Sequence, residues 1–279
     1  MEEIKKQTNG SVTFQLTVPW SQIQDTYHQL LQQASQQLEI KGFRKGKAPL
    51  SLVEQHLDTD KLYGRALEKL LPSIYSKFIQ KHNLKPLTEP KITPIKTKPN
   101  QPWTFKVEIA ERPQIQLGDY RSYLSKILHS QSKSTKSKSS STTKTKNKNQ
   151  KENITREKKL QLIFDALLKN AKVELSDLLV EAEYKSALSR LINQLTPLKI
   201  SLEDYAKSLK KSVKELLEEY KKAARDNLRL EFILSELIKI EKPSVSEAEI
   251  DKLKPQPQER NYARYVLQKQ KLIDKLLEL

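Results

Sequence analysis

Cysteine is missing from the chain altogether, which excludes disulfides, zinc–thiolate centres and a cysteine nucleophile. Histidine is sparse: His28, His56, His82 and His129 are scattered, and none forms a paired ligand spacing such as H-E-x-x-H. No metal site and no cofactor is therefore expected. Glycine is nearly as scarce, with five in 279 residues and none beyond Gly118. Nowhere does the chain hold a run of about 18 apolar residues, the length a membrane span needs, so no membrane partner is expected. The N-terminal MEEIKKQTNGS lacks the apolar centre of a signal peptide, and a cytoplasmic protein is the expectation. The single methionine, Met1, rules out an adaptable methionine-rich binding surface.

What the chain does have is charge, unevenly spread. Its net charge is +17. Residues 1–118 carry 17 basic and 11 acidic groups, for +6, and residues 152–279 carry 25 and 22, for +3. The 33 residues between, 119–151, carry nine basic groups and one acidic, for +8. Almost half of the excess thus sits in one short segment, and the chain as a whole is not a general polyanion binder. Within that segment SQSKSTKSKSSSTTKTKNKNQK (130–151) has no apolar residue. It cannot bury enough surface to offset the entropy of ordering, and it is expected to be a disordered tether. Lysine spread among serine and threonine also fits a basic tail attracted to RNA, although it lacks the aromatic residues on which single-stranded bases stack.

Before this segment the pattern is mixed. SVTFQLTV alternates Val12, Phe14, Leu16 and Val18 with polar neighbours, as a strand does. Pro19 then opens a helix in which Trp20, Ile23, Tyr27, Leu30, Leu31, Ala34 and Leu38 recur at helical spacing. A longer helix is expected from near Asp60, with Pro72 kinking or restarting it. Proline-rich KPLTEPKITPIKTKP precedes WTFKVEIA, a second alternating strand. Together these predict a compact α+β domain with a small, edge-rich sheet. After residue 152 everything reads as helical, and the C-terminal domain is expected to be elongated and all-α. Capping boxes are read at Ser201–Asp204, Ser212–Glu215 and Ser244–Glu247, the second opening one helix of about 28 residues, near 40 Å at helical rise.

One stretch stands apart. GFRKGKAP spends two of the five glycines, Gly42 and Gly46, around Phe43, Arg44 and Lys45, with Lys41 before and Lys47 and Pro49 after. It is not a nucleotide-binding P-loop, which needs four residues between the glycines and a hydroxyl after Gly-Lys; here three intervene and Ala48 follows Lys47. Two readings stay open from the residues alone. Phe43 plugs a local helix pair and the cations are merely solvated, or the turn projects cations around an apolar anchor to dock on a partner.

The stretch from Gly42 to Pro49 resembles the Gly-Phe-Arg-x-Gly-x-x-Pro signature of trigger factor, the bacterial ribosome-associated chaperone. The order of strand, proline-led helix, loop, helices and late strands is similar to the family's N-terminal domain. AKVELSDLLVEAEYKSALSRLINQL and the helices after it look like its C-terminal region. The resemblance covers 1–118 and roughly 154–279. It implies a ribosome-binding domain at 1–118 and a low-complexity linker at 119–153, followed by a helical chaperone domain at 154–279. It further implies that Gly42, Phe43, Arg44, Lys45, Gly46, Lys47 and Pro49 bind the large ribosomal subunit at exit-tunnel protein and rRNA. Nascent or unfolded polypeptides are the implied clients, with ATP not required, and a homodimer of the free chain stays open. The family usually carries an FKBP-like prolyl isomerase domain between these parts. Residues 119–153 contain no glycine and only Tyr120 and Tyr123 as aromatics, too little for such a domain and its lined pocket. No catalytic residue and no isomerase activity is expected. The rival readings are an RNA-binding factor acting through the basic linker and a prolyl isomerase with a degenerate site.

Overall fold

A computed structural model describes residues 3–134 and 148–278 of the chain. The described residues divide between Arg112 and Pro113 into two compact units.

The first unit is α+β. Its strands are β1 (Lys5–Lys6), β2 (Ser11–Val18), β3 (Lys91–Lys96) and β4 (Trp103–Ala110), in one antiparallel sheet of order β1-β2-β4-β3. Register follows the alternation: Val12 faces Ile109, Phe14 faces Val107, Leu16 faces Phe105 and Val18 faces Trp103, and all eight are buried. A slip of one residue would turn that whole set toward solvent, so the pattern fixes the pairing. The edge β3 carries Pro94 and an irregularity between Pro94 and Lys96; proline, which cannot donate to a ladder, is tolerated there.

Three helices complete the unit: α1 (Trp20–Ser35), α2 (Leu50–Gln55) and α3 (Thr59–Lys81). Pro19 is the residue immediately before α1. Asp58 caps α3, accepting from the Lys61 N–H at 3.2 Å, and Phe78 of α3 stacks on Phe14 of the sheet at 4.2 Å. Pro72 lies inside α3 and the helix is not restarted there, so of the two outcomes expected, a kink or a restart, the restart does not occur. Both Pro72 and Glu68, the residue whose carbonyl loses its partner, are exposed. Water can satisfy that carbonyl, so the helix continues.

The second unit is helical apart from one short ribbon. Its elements are β5 (Ile115–Gln116), α4 (Tyr120–Ser134), α5 (Lys148–Asn170), β6 (Lys172–Val173), α6 (Asp177–Leu195), α7 (Leu202–Ser208), α8 (Val213–Glu241), α9 (Glu247–Lys252) and α10 (Arg260–Leu277). Strand β5 pairs with β6, Ile115 opposite Val173, so the region beyond residue 152 is not wholly helical. Two residues of alternating KVEL are enough for this pairing, too few to show as a strand in the sequence.

Helix α8 has 29 residues, close to the expected length, and is about 43 Å long. Its C-terminal half supplies Ile233, Leu234, Leu237 and Ile238 to a core shared with Leu124 of α4, Ile163 and Leu167 of α5 and Leu272 and Leu276 of α10. Its N-terminal half packs against α6 and α7, burying Leu216 and Ala224. Ser212 and Glu215 form its capping box. The box before α9 is Ser246 with Glu249, not Ser244 with Glu247; the spacing repeats two residues later, and Pro243 is better separated from that start.

The linker expected from residue 119 begins differently. Leu117, Tyr120 and Leu124 are buried in the core of the second unit, because Tyr120, Leu124, Ile127 and Leu128 recur at helical spacing before the polar run starts. Residues 135–147 of the expected tether lie outside the described residues.

Candidate functional site

The GFRKGKAP loop connects α1 to α2, and its base is built from buried apolar side chains. Tyr27, Leu30 and Leu31 of α1, Val53 of α2, and Leu62 and Ala66 of α3 form one cluster, which Ile40 joins from the start of the loop. Leu38, Ala48 and Leu52 pack on its rim. Each fully buried large side chain contributes about 1.5–3 kcal/mol, so both ends of the loop are held firmly. Tyr27 stacks on Tyr63 at 4.4 Å, and its hydroxyl donates to Glu54 Oε1 at 2.5 Å. Burial, reinforced by that hydrogen bond, pushes the Tyr27 phenol well above its ordinary range.

Between these anchors the backbone makes two successive turns. The Phe43 N–H donates to the Ile40 carbonyl at 3.0 Å, and the Lys47 N–H donates to the Arg44 carbonyl at 2.9 Å. Gly42 (φ 88°) and Gly46 (φ 77°) each occupy the third position of their turn, where a type II turn demands positive φ. The glycine spacing is thus a turn spacing. Pro49 immediately precedes α2, and its carbonyl accepts from the N–H groups of Leu52 and Val53.

All seven residues from Lys41 to Lys47 are exposed. Phe43 is 43% exposed and outside the buried cluster, so it does not plug the helix pair. Among the described residues, no carboxylate pairs with Lys41, Arg44, Lys45 or Lys47. The structure therefore brings together an apolar ring and four unpaired cations on a rigidly based double turn, and keeps Pro49 below as the start of α2. One residue the sequence reading passed over belongs beside them. Leu50, in the first turn of α2, is 42% exposed; its spacing of three from buried Val53 reads as an inward position, so nothing in the sequence signalled its exposure. The arrangement offers hydrogen-bond donors, positive charge and apolar contact. Among the described residues it contains no titratable pair for acid–base chemistry and no cluster able to hold a metal.

In the second unit, large apolar side chains surface around the connection from α6 to α7. Ile192, Leu198, Ile200 and Leu209 are 40–66% exposed. No helix among the described residues is long and apolar enough to cross a membrane.

Residues 1–144 match the family profile described as bacterial trigger factor protein, and residues 139–275 match that of the trigger factor C-terminus. The matched regions overlap at residues 139–144, and neither is an isomerase domain. The trigger factor of Moorella thermoacetica is 30% identical over 117 residues, 42% of this chain and 26% of that protein. That of Staphylococcus saprophyticus is 32% identical over 117 residues, 42% of this chain and 27% of that protein. The chain thus aligns with about a quarter of the length of these relatives. A solved structure of the trigger factor chaperone, reported for promiscuous substrate recognition in folding and assembly, shares the fold. It superposes with a TM-score of 0.61 at 14% identity, covering 99% of each chain. With its signature loop lying inside an N-terminal match that spans just over half of its length, the chain belongs to the bacterial trigger factor family.

Proposed function

We propose that the protein is an ATP-independent chaperone that docks on the large ribosomal subunit through the 41–47 loop and shields emerging, unfolded polypeptides. The observation that carries this reading is the exposed double turn, with Phe43 and four unpaired cations held over a buried base. A loop serving only to join α1 and α2 needs neither an outward phenylalanine nor four cations without carboxylate partners. In the proposed roles, Phe43 anchors in an apolar site, Arg44 and Lys45 contact acidic protein groups or rRNA phosphate, and Lys41 and Lys47 add attraction. Gly42 and Gly46 allow the turns, and Pro49 sets the start of α2.

Docking would raise the effective concentration of the second unit near the emerging chain. The apolar side chains at Ile192, Leu198, Ile200 and Leu209 then offer dispersed, weak contacts to exposed hydrophobic segments, slowing their aggregation. Release needs no nucleotide, because many weak contacts are lost together as the client folds. On this reading the protein works in the cytoplasm, in part on ribosomes, and is not a prolyl isomerase.

The test is co-sedimentation with purified large subunits, comparing the native chain with Phe43→Ala/Arg44→Ala/Lys45→Ala. The native chain should pellet with subunits and the triple variant should stay in solution. Equal pelleting of both, abolished by salt, would move binding to the lysine-rich segment and favour an RNA-binding factor.

A further inference from the structure

Helix α1 has an exposed face unlike any other in the chain. Gln29, the pair Gln32 and Gln33, and the pair Gln36 and Gln37 recur at i, i+3 and i+4, continuing one residue past Gln36, where the helix is capped. All five are exposed. Their side-chain amides have no hydrogen-bond partner among the described residues. From Thr26 to Leu38 no Asp, Glu, Lys or Arg occurs, although charged residues make up 30% of the chain and 13 average residues would hold about four. Asp25, one turn before Gln29, is where charge resumes on this face. Surface helices ordinarily gain solubility and support from opposite charges three or four residues apart; α6 and α8 of this chain do so, with Lys185 beside Glu181 and Lys239 beside Glu236, and the α1 stripe has no such pair.

The stripe runs straight into the docking loop. The backbone turns back there so that a side chain at Gly46 would lie 3.6 Å from the Gln36 Cα. Five neutral amides and four cations therefore lie side by side, and from Thr26 to Val53 the exposed Glu39 is the only carboxylate. The C-terminal end of a helix carries partial negative charge, and α1 has no basic residue in its last turn. A phosphate is not the group suited to that end. A carboxamide, which both donates and accepts, suits a group that does the same. The ribose 2′-hydroxyl is such a group, and A-form RNA displays rows of them in a wide, shallow minor groove.

We propose that the Gln29–Gln37 stripe is a second contact surface of the docking site, and that it reads the sugar edge of helical rRNA while the loop supplies charge. This rests on the docking reading above. The division of labour makes the two surfaces separable. Removing amides changes affinity without changing charge, whereas removing loop cations reduces the salt dependence.

The experiment uses the full-length chain and its Gln29→Ala/Gln33→Ala/Gln36→Ala variant. Alanine is the best helix former, so α1 is kept. Binding is measured to purified large ribosomal subunits over a range of salt. It is also measured to a short RNA duplex and to the DNA duplex of the same sequence. The expected result is roughly tenfold weaker binding of the variant to subunits, the loss of a few modest hydrogen bonds, with an unchanged salt slope. The native chain should prefer the RNA duplex over DNA, and the variant should lose that preference. Native affinity of the variant for subunits overturns the proposal. Weakened subunit binding without any native preference for RNA also overturns it, and assigns the stripe to ribosomal protein. Failure of the native chain to bind subunits at all removes the docking reading instead, and the RNA-over-DNA comparison still decides the stripe.

Discussion

The two loop glycines carry the residue-scale argument. A side chain at Gly42 would meet nothing within 4 Å, and one at Gly46 only an ordinary contact with Gln36. Space does not demand glycine at either position; positive φ does. An alanine there costs about 1–2 kcal/mol of local strain, which the loop can relieve by changing its turns while the buried base beneath stays intact. Gly42→Ala/Gly46→Ala should therefore lower ribosome affinity severalfold while shifting the melting temperature by only a few degrees. A large loss of stability with unchanged affinity would show that the turns serve the core and not the tip. The residue scale is also where the sequence was most legible. Gly42 and Gly46 were recognisable as turn residues by type, and the lack of a carboxylate among residues 40–53 is visible directly. The outward direction of Phe43 was not, because an aromatic residue between two helices packs inward or outward according to what already fills the cluster. Here Ile40, Ala48 and Val53 fill it.

At the scale of the element, strand alternation, the proline before α1 and the length of α8 were all readable. Each depends on a local periodicity, which the sequence carries in full. The errors arose where tertiary partners decide. Pro72 was expected to kink or restart α3, and it does not restart it: with Glu68 exposed, water can take the place of the missing donor and the helix continues. The same argument gives a prediction. Pro72 is exposed, so Pro72→Ala should raise the melting temperature, by an amount corresponding to about 1–3 kcal/mol; a lower one would mean that the proline makes contacts the helix needs. Likewise Tyr120 reads as the start of a polar linker until its partner is known. That partner is Glu241, the last residue of α8, whose side chain is 4% exposed. Lys275 of α10, Tyr120 and Arg121 all donate to its carboxylate. Those hydrogen bonds, that of Lys275 foremost, hold the Glu241 carboxyl down to about 2, and they offset its unfavourable place at a helix C-terminus. A depressed carboxylate stabilises the fold fully above its ordinary value near 4.5 and loses that contribution as pH falls through about 2. Glu241→Gln should thus cost roughly 2 kcal/mol near neutral pH. The gap to the native chain should close as the pH is lowered from 4.5 toward 2, followed by circular dichroism. A gap that persists unchanged in acid would remove the ion pairs as its cause.

At the scale of the whole molecule, the two tasks proposed for the protein fall on different units. The docking loop belongs to the first, and the exposed apolar side chains between α6 and α7 belong to the second. Leu198→Ser/Ile200→Ser should therefore weaken suppression of aggregation of an unfolded client, by light scattering, and leave ribosome co-sedimentation at the native level. Loss of both activities together would tie the two units into one binding surface. Sequence showed that there were two parts but placed their boundary at 118, six residues beyond the division at Arg112. Pro113 is buried, and Leu117, Tyr120 and Leu124 are claimed by a core whose remaining buried members begin only at Ile163. The central claim is that the tip of the 41–47 loop touches the ribosome. Its most direct measurement replaces Phe43 with a photoreactive benzoyl-phenylalanine and irradiates the chain bound to purified large subunits. The account predicts crosslinks from position 43 to components at the polypeptide exit site, competed away by the native chain. Sedimentation with subunits but no crosslink from position 43, with crosslinks instead from the lysine-rich segment, would contradict it.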